Sequence, residues 1–117
     1  AASDVYKRQL IILKEEGIEN SWERHKNNHL QLRSGLEDMG IKFLVDEEDR
    51  LPQLNSIYIP EGVNDLESRK KLLNDFNLEI GAGLGVLAGK IWRIGLMGQS
   101  SNKKNIEYCL DSLSKVI

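Results

Sequence analysis

The chain has 117 residues, 40% of them hydrophobic and 29% charged, enough for one globular domain that buries a core without disulfide or metal staples. Sixteen Lys and Arg against eighteen Asp and Glu leave a net charge of −2, so neither a nucleic-acid nor a membrane partner is expected. No apolar run approaches the roughly 20 residues that cross a bilayer, no secretory signal is visible, and the single cysteine, Cys109, excludes an internal disulfide and a cysteine-based zinc site; a reduced intracellular setting, cytoplasmic by default, is the expectation.

The first residue is Ala1 rather than methionine, and residues 1–9 run into a helical pattern with no loop before it. The chain therefore reads as cut from something longer, or as carrying non-native residues at 1–9. Val5, Tyr6, Leu10, Ile12 and Leu13 recur at helical spacing, and Gly17 stands as a C-cap after Glu16. A second helix carries a stripe of Ile18, Trp22, His25, His29, Leu32, Leu36 and Met39, closed by Gly40. Its other face, with Glu23, Arg24, Lys26, Asn27, Arg33 and Glu37, reads as solvated surface.

The period then becomes two. Ile41, Phe43 and Val45 predict a strand. Asp46 to Arg50 is a charged loop whose four carboxylates lack the glycine and the spacing of a calcium loop. Leu54 to Ile59 is a second strand, stopped by Pro60. Asn64 and Glu67 resemble a capping box opening a helix with Leu66, Leu72, Leu73 and Phe76 inward. Leu78 to Ile80 is a short strand, Gly81 to Gly89 a glycine-rich connection, Ile91 to Leu96 a strongly apolar strand, and Gly98 to Asn102 a turn. Asn105 to Ile117 is a closing helix with Ile106, Cys109, Leu110, Leu113 and Val116 inward. There is no regular βαβ alternation. The order predicts a small α+β domain, a mainly antiparallel sheet with helices packed on one face.

Gly83-Leu84-Gly85-Val86-Leu87-Ala88 formally matches a dinucleotide fingerprint, but a strand follows where the motif needs a helix N-terminus. Gly85 to Lys90 is one residue short of a phosphate loop, and Ile91 stands where that motif places Ser or Thr. The glycines are better read as backbone geometry: close approach to a ligand or another surface, or a tight connection between strands. His25 and His29 lie one turn apart, but Lys26 stands where a metalloprotease carries Glu and no third ligand is suggested; they read as packed structural histidines, and no metal is expected. Cys109, on an inward helix face, reads as a small core residue.

Arg93 interrupts the apolar strand. Alternation places Ile91, Arg93 and Gly95 on one face, with Trp92, Ile94 and Leu96 on the other. A guanidinium on a nearly buried strand calls for an anion, and its planar fork suits a carboxylate. A bound ligand and a structural ion pair are both open readings from the residues alone.

The run Gly81-Ala82-Gly83-Leu84-Gly85-x-Leu87-Ala88-Gly89-Lys90-Ile91-Trp92-Arg93-Ile94-Gly95-Leu96-Met97-Gly98 resembles the C-terminal signature of the alanine–glyoxylate (serine–pyruvate) aminotransferases, class V, fold-type I enzymes that use pyridoxal 5'-phosphate. Three further segments agree in order: Gly17-Ile18-Glu19-Asn20-x-Trp22-x-Arg24-His25, Arg50-Leu51-Pro52-x-Leu54, and Ile59-Pro60-Glu61-Gly62-Val63. Ala82 and Val86 depart from the family's usual Gly and Pro.

The resemblance implies that residues 1–16 end the helix leading into the small C-terminal domain and residues 17–117 form that domain. The cofactor and its Schiff-base lysine belong to a large domain that is not in this chain. None of the ten lysines, Lys90 included, takes that role, and no catalytic residue is assigned here. Arg93 maps to the family's carboxylate-binding arginine, and Gly83, Leu84 and Gly85 to an active-site loop. The implied partners are a small amino acid (alanine or serine) and a 2-oxo acid (glyoxylate or pyruvate), in a homodimeric full-length enzyme, the isolated piece being inactive. The alternative is a free-standing module that binds a small carboxylate, or regulates, without catalysis. A cysteine desulfurase is disfavoured, because Cys109 is on a helix and not on a mobile loop.

Overall fold

Two helices open the chain in the computed structural model, which describes residues 1–117: α1 (Ala2–Glu16) and α2 (Ile18–Asp38). Gly17 separates them at φ 87°, a backbone angle that side chains rarely adopt, and its N–H closes α1 on the Leu13 carbonyl. Gly40, at φ 78°, ends α2 as expected. The remaining elements are β1 (Leu54–Tyr58), α3 (Asp65–Phe76), β2 (Gly81–Ala82), β3 (Ile91–Gly95) and α4 (Lys103–Val116). β3 is the central strand of a three-stranded, fully antiparallel sheet in the order β1-β3-β2. No helix is long and apolar enough to cross a membrane.

The helices pack on the sheet face carrying Ile57, Trp92, Ile94 and Leu96. Leu32 and Leu36 of α2, Leu72 of α3, and Ile106, Cys109 and Leu113 of α4 meet those residues in one apolar core. Two side-chain caps start the later helices. Asn64 accepts from the Glu67 N–H, and Asn102 from the Asn105 N–H, both at 2.9 Å. The second cap begins α4 two residues earlier than the periodicity places it.

Two expected strands are not full strands. Residues 41–45 reduce to a bridge of Phe43 with Ile57, flanked by Leu44 N–H on the Ser56 carbonyl and Tyr58 N–H on the Lys42 carbonyl. The charged run beyond them coils into a tight turn at Glu47–Asp49. Arg50 Nε holds that turn to the Val45 carbonyl at 2.8 Å, and Arg33 reaches down to Glu47, so the chain leaves the sheet edge early. Leu78 to Ile80 stay unpaired because the end of α3 claims the backbone first. Asn77 turns left-handed (φ 52°), and the Leu78 N–H bonds the Leu72 carbonyl, so the ladder starts only at Gly81.

Four residues read as inward are exposed: Ile18 and Trp22 on α2, Leu66 and Leu73 on α3. Periodicity marks an apolar stripe without saying how much of it another element covers. Here the N-terminal end of each stripe is left uncovered, as is Leu73, while Met39 and Phe76 at the other ends pack against the core.

Trp92, fully buried under α3, keeps its indole N–H satisfied through Asp65, 2.8 Å away, while Arg69 pairs the same carboxylate at 2.7 Å. The Arg69 hydrogen bond, with a smaller contribution from Trp92, lowers the Asp65 pKa against the opposing effect of burial. A depressed carboxylate pKa means stability present above the unfolded-state value, roughly 4, and lost as pH falls through the lower folded value. Asp65→Ala leaves the Trp92 N–H unpaired and is expected to cost about 1–3 kcal/mol. Asp65→Asn keeps an acceptor and is expected to cost less, with a shallower loss of stability on acidification. Urea unfolding of both variants at neutral and acidic pH measures this.

Candidate substrate-carboxylate site

Arg93 sits at the middle of the central strand, opposite Ser56 on β1 and Gly81 on β2. The core takes the other face, so Arg93 lies on the sheet face that the helices do not cover, and it is half-buried. The neighbours set its pose. Its Nε donates to the Ala82 carbonyl at 2.8 Å. Gly81 beside it has no side chain; a Cβ there would touch the Arg93 Cβ and carbonyl at 3.4 Å. The guanidinium is thereby laid along β2 and held at Nε.

No carboxylate of the chain pairs with Arg93; the ion pairs involve Arg24, Arg33, Arg69, Lys103, Lys115 and the N-terminal amine. The structural ion pair that the sequence left open is not formed within these residues. With Nε committed, the two terminal nitrogens remain, and they are the pair that grips a carboxylate end-on.

One end of the face is roofed by the loop from Gly83 to Lys90. The Gly83 N–H bonds the Ile91 carbonyl at 3.1 Å, and a turn through Gly85 folds the chain back, with Leu87 and Ala88 N–H groups on the Leu84 and Gly85 carbonyls. Gly83 is itself buried: a Cβ would meet the Leu87 carbonyl oxygen at 2.2 Å. Leu84 and Val86 project outward, Val86 with 85% of its surface exposed. At the other end, Gly95 and Leu54 are exposed, so the site is an open shelf and not a cavity.

The residues set aside in the sequence have structural employment. His25 Nε2 accepts from the Gly98 N–H at 3.1 Å, which leaves Nδ1 as the protonated nitrogen, donating to the Ser21 carbonyl at 2.7 Å. His29 Nδ1 faces Asn55 Oδ1 at 2.7 Å, tying α2 to the buried face of the sheet. Burial of Cys109 pushes its thiol up to about 11, which keeps it protonated and unreactive at neutral pH. The cleft of about 330 Å³ beside it, lined by Ile80, Ile94, Leu96 and Ile106, opens on the helix side of the sheet, away from Arg93. All ten lysines are exposed. None is enclosed in a dry pocket of the kind that covalent cofactor chemistry calls for, so these residues do not fit the role of cofactor anchor.

No protein-family model matches the chain. It is 39% identical over 103 residues to the (S)-ureidoglycine–glyoxylate transaminase of Bacillus subtilis, and 35% identical over 112 residues to the alanine–glyoxylate aminotransferase of Rattus norvegicus. Those alignments take in 88% and 95% of this chain but 25% and 27% of the relatives, so the chain spans about a quarter of their length. The crystal structure of an alanine–glyoxylate aminotransferase from Nostoc sp. superimposes with a TM-score of 0.89 at 43% identity, over 92% of this chain and 28% of that one. Nearly the whole chain is thus similar to about a quarter of the alanine–glyoxylate and ureidoglycine–glyoxylate aminotransferases.

A pyridoxamine–pyruvate aminotransferase from Mesorhizobium loti shares the fold at a TM-score of 0.85 and 25% identity. The likeness accords with the α+β architecture of this chain. α1 has no buried residue and exposes Val5, Tyr6 and Leu10. The sequence singles out Arg93 and the glycine loop. It does not show the Ala82 carbonyl that orients Arg93, and it places Arg24 on a solvated face. In the structure Arg24 binds Glu16 and the Gly98 and Ser101 carbonyls. A backbone acceptor has no side-chain signature, and the partners of Arg24 lie up to 77 residues away.

Proposed function

We propose that this small domain belongs to a pyridoxal-phosphate-dependent aminotransferase that moves an amino group from a small amino acid, alanine or serine, to glyoxylate or pyruvate, and that Arg93 holds the substrate's α-carboxylate. The reading is supported above all by the guanidinium itself: anchored at Nε by Ala82 and unpaired with any carboxylate of the chain. Residues 1–16 are taken as the end of the helix joining the two domains, and residues 17–117 as the small domain of a homodimeric enzyme.

The cofactor, held by the larger part of the enzyme, supplies the electron sink. The contribution of this chain is orientation. A carboxylate gripped by two parallel N–H donors loses its freedom to rotate, which fixes the direction of the bonds at Cα. Donor and acceptor both carry that carboxylate, so Arg93 serves both halves of the exchange and does not select the side chain. The shelf is open, so the carboxylate is fully desolvated, and the contact strongest, only when the rest of the enzyme closes over it. The loop through Gly83, Leu84 and Gly85 would form the rim of that closure, with Leu84 presenting an apolar contact.

The full-length enzyme carrying this chain is expected to form glycine from glyoxylate with alanine or serine as donor, and the 117-residue chain alone to show no turnover with added cofactor. Turnover by the isolated chain, or a parent that transaminates no small amino acid, would overturn the assignment. Binding of small carboxylates without transamination in the parent would favour a non-catalytic binding module instead.

A further inference from the structure

Arg24 joins three parts of the chain. Its Nε and one terminal nitrogen grip Glu16 at the end of α1 at 2.5 and 3.1 Å, and its other terminal nitrogen donates to the Gly98 and Ser101 carbonyls at 2.9 and 2.6 Å. Two α2 neighbours hold the same turn: His25 takes the Gly98 N–H, and Asn28 donates to the Ser101 carbonyl at 2.8 Å and its hydroxyl at 3.2 Å. The turn from Gly98 to Ser101 directly follows the strand that carries Arg93.

We propose that Arg24 is a positioning residue for the substrate carboxylate: it locks the angle at which α1 meets the sheet, and so sets where Arg93 stands relative to whatever α1 is attached to. Three observations carry this. First, α1 and α2 meet at Gly17, a residue without a side chain at φ 87°, and the local link across the bend is one hydrogen bond from the exposed Asn20 side chain to the Glu16 carbonyl at 2.8 Å. Second, α1 has no buried residue, and the Glu16–Arg24 pair is the tether that carries it beyond α2, since the Asn20 bond to the Glu16 carbonyl reaches α2 alone. Third, the same guanidinium that takes Glu16 also takes the backbone at the exit of β3. A displacement of α1 is therefore transmitted to the strand through one rigid planar group and not through a flexible surface pair. The pair is partly shielded, with about a quarter of each side chain exposed. The hydrogen bond between them is the leading cause of the lowered Glu16 pKa and the raised Arg24 pKa. A lysine could reach Glu16 or the carbonyls, but it has no fork to serve both.

The proposal rests on Arg93 binding the carboxylate, and a double-mutant cycle in the full-length enzyme separates the two. Arg24→Gln is expected to raise KM for the amino donor and the 2-oxo acid alike, by about five- to tenfold, with kcat changed less and the cofactor's absorbance unchanged. Glu16→Gln, which keeps an acceptor but removes the charge, is expected to move KM the same way by a smaller factor. If Arg24 acts through Arg93, adding Arg24→Gln to Arg93→Lys costs little further, because the contact it positions is already lost. A comparably destabilising core change far from the tether, Ile106→Val, is expected to leave KM where it was. Losses that multiply in the double mutant, or a KM that ignores Arg24 and Glu16 while Arg93→Lys raises it, would overturn the positioning role and leave the Arg93 reading standing. An Arg93→Lys enzyme with native KM would instead overturn the reading beneath it.

Discussion

If Arg93 holds the substrate carboxylate, Arg93→Lys in the full-length enzyme is expected to lower kcat/KM for both the amino donor and the 2-oxo acid by about 10- to 100-fold. A charge-assisted hydrogen bond contributes about 1.5–3 kcal/mol, and each 1.4 kcal/mol is about tenfold. Lysine keeps the positive charge but replaces the fork by a single point donor. It also has no Nε to rest on the Ala82 carbonyl, so its ammonium is not held along β2 as the guanidinium is. Cofactor content, read from absorbance, stays at the wild-type level, because Arg93 is assigned to substrate alone. The loss falls equally on donors with different side chains, since each presents the same carboxylate. Kinetics near wild type for both substrates would remove Arg93 from the site. A loss confined to one donor would mean that Arg93 reads side chains, contrary to its proposed role.

Gly83→Ala destabilises the chain by about 1–3 kcal/mol or more, the range for overpacking a filled site. The added Cβ would lie 2.2 Å from the Leu87 carbonyl oxygen, 2.8 Å from its carbon and 2.9 Å from Ile91 Cγ1. Two of those atoms are backbone, and the loop can relieve the clash only by opening. Opening it strains the Gly83–Ile91 hydrogen bond and uncovers Ile91, which is 2% exposed, two residues from Arg93. Gly85→Ala makes a useful contrast. Its Cβ meets nothing within 4 Å, and its cost comes from a φ of 58°, about 1 kcal/mol. Urea unfolding of the 117-residue chain should therefore rank Gly83→Ala well below Gly85→Ala. The reverse order would mean that the loop is not packed as described. In the full-length enzyme the same Gly83 variant is expected to raise substrate KM, because the roof over one end of the Arg93 face has moved.

Most of the fold was legible in local pattern. α2, α3, β1, β3 and α4 each carry a periodicity that matches a face or stripe of buried residues, α1 carries the spacing with none of its residues buried, and glycine or asparagine marks most of their ends. The two strands that did not form failed for a nonlocal reason. Residues 41–45 alternate correctly, yet Arg33 and Arg50 hold the following turn away from the sheet. Residues 78–80 alternate too, yet α3 takes the Leu78 N–H that a ladder needs. Trp22, with 62% of its surface exposed, shows the same limit: an apolar stripe records what a helix can bury, not what arrives to cover it.

The site divides the same way. The sequence by itself determined that a lone arginine interrupts the apolar strand Ile91–Leu96 beside a glycine-rich loop, on the face opposite Trp92 and Ile94. Those facts follow from residue type and a period of two, which are local. Only the tertiary structure decided that no acid of the chain neutralises Arg93, that the Ala82 carbonyl fixes its Nε, and that Arg24 ties Glu16 to the turn after β3. Each of those depends on backbone atoms or on groups far apart in sequence, and hydrogen-bond geometry between such groups is set by the packing of whole elements, which no local pattern encodes.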